Sequence, residues 1–179
     1  AVFADEFGRP VLSPPHDPAA AFCRIGVLGD PGRHPDEYSA VLAQIGDAAD
    51  RTGIAVKPVL VPAADALADG ALDGLHGIVL PGGADISQVA PQITVADSAL
   101  ARGLPTLGLC LGMQSMATAL VRASVWHDSA LEEVAGPGPH RSFVRMRADG
   151  GSVLHRLGDR RFEPVPGTRL AELLPLGAT

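Results

Sequence analysis

Short apolar runs closed by glycine and proline alternate along this chain with stretches whose apolar residues recur every three or four positions. The first run, RIGVL at 24–28, stops at Gly29-Asp30-Pro31-Gly32 and reads as a short strand. A helix is expected to open around His34-Pro35-Asp36-Glu37, where proline and acids suit a first turn. Tyr38, Val41, Leu42, Ile45, Ala48 and Ala49 fall on one face of it, and Gly53 ends it. IAVKPVLV at 54–61 is the second strand; Pro58 removes a ladder donor, which predicts an edge position. A weaker helical pattern near 63–68 leads to GIVL at 77–80, a third strand that runs straight into Pro81-Gly82-Gly83. A helix over 92–102 follows, with Ile93, Ala96 and Leu100 inward and Gly103 as its stop. PTLGL at 105–109 is a fourth strand, and 111–121 a helix rich in Leu, Met and Ala. Strands alternating with helices predict βαβ units and an α/β, doubly wound, mostly parallel sheet.

Beyond about residue 124 the pattern changes. AGPGPH is a loop, SFVRMRA alternates in strand fashion, and Asp149-Gly150-Gly151 reads as a hairpin turn with SVLHRL returning. RRFEPVP is a candidate for one more short strand. This segment is expected to be a short antiparallel appendage to the sheet. At the other end, residues 1–22 carry four prolines and no periodicity, and read as an extended arm or linker before a domain at 23–179.

Composition narrows the function classes. At 179 residues with 46% hydrophobic and 19% charged positions, the chain can bury one substantial core and is not of the disordered type. A formal net charge of −6 leaves no basic face for nucleic acid. No apolar run reaches the roughly 18 residues a membrane span requires, and no secretory leader pattern opens the chain, so a cytoplasmic location is expected. Two cysteines are too few for a disulfide framework.

The informative segment is LPTLGLCLGMQSMATAL at 104–120. A strand ends, Cys110 sits at the turn, and a helix begins at once. Unpaired amides and the helix dipole favour a thiolate at such a position, and the turn presents sulfur at the carboxyl edge of the sheet. Gly108 and Gly112 flank the cysteine and are expected to let backbone approach a substrate. The Leu111 amide, next after the nucleophile, would face a developing oxyanion, as in other strand–turn–helix elbows. A second donor is expected from the glycine turn that closes the third strand, where Gly82 and Gly83 have no Cβ. Gln114, one turn on, is placed to reach a polar substrate. Cys23, in contrast, reads as a small buried hydrophobe.

GLCLGMQ at 108–114 together with GIVLPGGAD some thirty residues earlier resembles the class I, Cys-nucleophile glutamine amidotransferases. Within them the glutaminase domain of CTP synthase and the free-standing bacterial CTP synthase C-terminal-region-related proteins are most alike; the γ-glutamyl hydrolase-type peptidases are the nearest outgroup. The resemblance covers about 24–122 and implies a flavodoxin-like fold. It further implies that Cys110 attacks the side-chain amide of L-glutamine, forms a γ-glutamyl thioester and releases ammonia to a synthetase domain or subunit. Gly83 and Leu111 would hold the oxyanion, Gly82 and Gln114 would contact glutamine, and Glu132 or Glu133 would bind its α-amino group. A homo-oligomer is compatible with this reading.

The resemblance also implies a His-x-Glu pair supplying the general base, and none occurs in the sequence, so the domain reads as lacking its C-terminal portion or as having lost that base. His140 and His155 are the available alternatives. Two rival functions therefore stand beside glutaminase activity: a catalytically impaired regulatory or scaffold domain, and a γ-glutamyl hydrolase-like peptidase. No ligand-like spacing of His and Cys points to a metal, and no glycine-rich phosphate loop points to a nucleotide, so no cofactor is expected.

Overall fold

Four strands hydrogen-bond into one parallel sheet: Cys23–Leu28 (β1), Val56–Val61 (β2), Gly77–Leu80 (β3) and Thr106–Gly108 (β4), in the order β2-β1-β3-β4. The structure, a computed structural model, describes residues 22–30, 38–68, 70–83, 85–149, 151–153, 163–168 and 171–172. Ile25 lies between Pro58 and Gly77, and Leu80 pairs with Gly108. Pro58 sits on the edge strand, as its missing N–H requires. The chain steps from β1 out to β2 and then back past β1 to β3. The carboxyl ends of β1 and β3 are therefore a topological switch point, where open α/β sheets bind ligands.

Alternation along the strands builds a core on each face of this sheet. Val27 and Val79 pack with Tyr38 and with Val41, Leu42 and Ile45 of the helix Ser39–Thr52 (α1). Leu28, Ile78 and Leu80 point the other way, into a larger cluster with Val89, Ile93, Ala96 and Ala99 of Val89–Ala101 (α2) and Leu111 and Ala119 of Leu111–Ser124 (α3). The expected doubly wound arrangement is thus present, with one helix on one face and two on the other.

Details depart from expectation. The predicted opening of α1 at 34–37 lies outside the described residues; the helix follows Tyr38 and stops at Gly53, whose φ is +66°. Ala48, expected on its inner face, is exposed. Helix α2 starts at Val89 rather than 92, after a 3-10 turn at Ile86–Gln88 whose Ser87 N–H donates to the Asp85 carboxylate. Pro91 falls in its first turn, where no helical N–H is needed. Ile93 and Ala96 are buried as expected, but Ala99 turns inward in place of Leu100, which is 48% exposed. At 63–68 only a single 3-10 turn, Asp65–Leu67, forms.

The segment after 124 is not wholly antiparallel. Ala130–Leu131 (β5) and Arg141–Phe143 (β6) pair in parallel. The single-turn helix Glu132–Ala135 (α4) and the loop behind it carry the chain back before β6 begins, and such a crossover leaves the two strands running the same way. Among the described residues antiparallel pairing is confined to an Arg147–Val153 bridge, around which Ala148 N–H donates to Ser152 O at 2.9 Å. The described residues form two compact units, one ending at Val144 and one starting at Arg145. Glu163–Pro166 form no strand, and the rest of that candidate strand lies outside the described residues, as does the expected arm apart from Phe22.

Candidate active site

Strand β4 passes into α3 through two residues. The Leu109 N–H continues the ladder to Leu80 O at 2.9 Å, and the Gly112 N–H turns back to Leu109 O at 2.8 Å. Cys110, between them, adopts φ +49° and ψ −108° and is exposed. A non-glycine residue in that region costs on the order of 1–3 kcal/mol and persists only where its surroundings fix it. Here they do. A Cβ on Gly112 would run into the Leu80 carbonyl oxygen, and one on Gly108 would lie 2.6 Å from the Met113 nitrogen. The two flanking glycines are therefore needed to fold helix against strand, rather than to admit a substrate as their spacing led us to expect. The first amide of α3, on Leu111, has no carbonyl one turn behind it within the helix.

The glycine turn after β3 lies directly beside this elbow. A Cβ built on Gly82 would be 3.0 Å from the Cys110 Cβ and 3.9 Å from its Sγ. Gly83 has φ +156° and open space where a side chain would stand. Two clefts meet at Gly83 and Leu111. One is also lined by Leu131, Glu133 and Val134. The other reaches over the switch point to Leu28 and Tyr38 and includes Gly82 and Gln92.

Comparison with known proteins places the chain in a family. Residues 34–161 match the sequence model described as "Glutamine amidotransferase class-I". The chain belongs to that family. It is 31% identical over 156 residues to the CTP synthase of Chlamydia caviae and 30% identical over 153 residues to that of Chloroflexus aggregans. These matches take in 83% and 81% of this chain but only 29% and 28% of those proteins. Among solved structures, "Trypanosoma brucei CTPS - glutaminase domain with bound acivicin" aligns with a TM-score of 0.65 at 25% identity, over 74% of this chain and 55% of that one. The sheet and its flanking helices are accordingly those of a class I amidotransferase similar to the glutaminase domain of CTP synthases.

Around the amidotransferase elbow the remaining candidates separate. Glu133 is exposed and lines the cleft shared with Gly83 and Leu111, whereas Glu132 is 9% exposed and turned into the protein. Gln114 is half-buried on α3, its N–H bonded to Cys110 O at 3.1 Å, and is absent from the lining of either cleft. His140, itself at φ +57°, stacks on Trp126 with ring centroids 5.2 Å apart and bonds Asp128 at 3.1 Å; it lines neither cleft. His155 lies outside the described residues. Among the described residues no three His, Cys, Asp or Glu converge as metal ligands, and no helix is long and apolar enough to cross a membrane. Cys23 is half-buried at the start of β1, more exposed than the buried hydrophobe expected of it.

Sequence reading passed over a buried polar set behind the turn. Gln92 and Ser115 are 2% and 0% exposed and bonded to one another. Gln92 falls three residues after Val89 and four before Ala96, on the inner face of α2. A polar residue at that phase was the available signal. Three residues further along α3, the Thr118 hydroxyl donates to Gln114 O at 2.8 Å and shares a 2.6 Å hydrogen bond with Ser142.

Proposed function

We propose that this amidotransferase is a glutaminase whose nucleophile is Cys110. The Sγ attacks the side-chain carbonyl carbon of L-glutamine, and the negative charge moves to the carbonyl oxygen. The amides of Gly83 and Leu111, at the meeting point of the two clefts, receive that oxyanion. Collapse of the adduct breaks the carbon–nitrogen bond, nitrogen takes up the proton given up by the Cys110 thiol and leaves as ammonia, and a γ-glutamyl thioester stays on Cys110. Water then hydrolyses the thioester to glutamate and restores the thiol.

Gly82 leaves room for the substrate beside the sulfur, and Gln114 contacts the bound amino acid. Of the two glutamates, Glu133 is the better placed to meet the α-amino group, because it lines the cleft that holds Gly83 and Leu111. The ammonia serves a synthetase reaction of the CTP synthase kind, in a domain or subunit that accompanies this one. The observation that carries the reading is the 3.0 Å approach of a Gly82 Cβ position to the Cys110 Cβ at a φ of +49°.

Ammonia release from L-glutamine, measured for wild type and Cys110→Ala, tests it. Release that disappears in the variant supports a glutaminase. Faster turnover of γ-glutamyl peptides than of glutamine would move the assignment to a γ-glutamyl hydrolase, and no turnover of either by a folded chain would favour a regulatory or scaffold role.

A further inference from the structure

One carboxamide joins three elements behind the candidate site. Gln92 Nε2 donates to the Pro81 carbonyl at 3.0 Å, and its Oε1 accepts from the Ser115 hydroxyl at 2.9 Å. Pro81 opens the glycine turn, Gln92 stands on α2, and Ser115 is on α3 five residues beyond Cys110. With both ends of the amide bonded and almost no solvent reaching it, rotating the side chain would leave buried partners unsatisfied.

Peptide planarity turns this link into a constraint on the site. The Pro81 carbonyl and the Gly82 N–H belong to one trans amide and point in opposite directions. Drawing the carbonyl towards α2 sets the plane of that amide and sends the Gly82 N–H away from Gln92. It also fixes where the Gly82 Cα stands, leaving the Gly82–Gly83 peptide to turn only about the two dihedrals of Gly82. Glycines impose little of their own on such a turn, so an outside hold is required if its amides are to stay aimed. Through Ser115 the same side chain ties the turn to the helix that Cys110 opens.

We infer that Gln92 is a positioning residue, keeping the donors of the glycine turn in register with the Cys110 elbow. It acts through Pro81 and touches no reacting atom. The inference rests on the glutaminase reading above and concerns a residue outside the motifs that led to it. A residue that merely filled a polar gap in the core would affect stability alone.

The two roles separate by comparing two electrophiles on the purified chain. A chloroketone analogue of glutamine reacts faster when its carbonyl is polarised by the turn; iodoacetamide reports only the exposure and reactivity of Sγ. Gln92→Met keeps side-chain length and removes both hydrogen bonds. The ratio of the two labelling rates at Cys110 should fall about tenfold or more in Gln92→Met, and about two- to fivefold in Ser115→Ala, which leaves the bond to Pro81. Glutamine turnover should lose kcat with little change in KM. A ratio unchanged in folded Gln92→Met overturns the inference, and if that variant fails to fold, an unchanged ratio in Ser115→Ala does so. Wild type that shows no preference for the glutamine analogue removes the glutaminase reading and this inference with it. A preference kept by both variants removes the Gln92 inference alone.

Discussion

Cys23 and Cys110 sit at opposite ends of one parallel sheet. Cys23 begins β1 in extended backbone, with its N–H bonded to Ala55 O at 2.7 Å and its side chain half-buried. Cys110 follows the end of β4 at φ +49°, exposed, with α3 opening behind it and the Gly82 turn alongside. The residue type is the same in both places. What differs is the backbone: at the amino edge the amides are spent on the ladder, and at the carboxyl edge the first amides of a helix and a glycine turn remain to face a ligand. Under the proposed function, the chemistry of this domain resides in the elbow, with cysteine as its occupant.

The largest expected contrast is in activity. Cys110→Ala should reduce glutamine-dependent ammonia release to background while the thermal unfolding curve stays in place. Next, Gly112→Ala should break the elbow itself. Its methyl has to displace the Leu80 carbonyl, a backbone atom of a central strand, so unfolding free energy should fall by about 3 kcal/mol, read from denaturant midpoints. Gly82→Ala probes the turn's side of the contact. The added methyl meets Cys110 at 3.0 Å and enters the space a substrate needs; turnover should drop about tenfold with stability altered by less than about 1 kcal/mol. The smallest effect belongs to the other cysteine. Cys23→Ala should cost less than about 1 kcal/mol and leave turnover unchanged, because that residue is half-buried and far from the carboxyl edge.

Much of the frame was legible because it is written in local signals. Strand β3 and, from Ile25 on, strand β1 are apolar runs ended by proline and glycine, and the elbow announces itself as strand, cysteine, helix with glycines two positions away on each side. The reason for those glycines was not legible: the backbone of Leu80 that excludes a side chain at Gly112 belongs to a strand thirty residues earlier. Packing also set the phase of α2, where small Ala99 turns inward and Leu100 outward. The parallel pairing of β5 with β6 depended on one helical turn, too short to show a period. The Gln92–Ser115 bond takes one residue from each of two helices, so the pattern of neither helix alone shows it. Choosing between Glu132 and Glu133 needed the direction of each side chain around that turn, and adjacent residues on a helix point about 100° apart.

Competition between the two cysteines tests the central claim most directly. The native chain is treated with a limiting amount of the glutamine chloroketone, with and without excess L-glutamine, and the modified peptides are identified by mass spectrometry. Modification confined to Cys110 and suppressed by glutamine is the predicted result. Equal modification of Cys23 and Cys110, or labelling of Cys110 that glutamine does not slow, would contradict it.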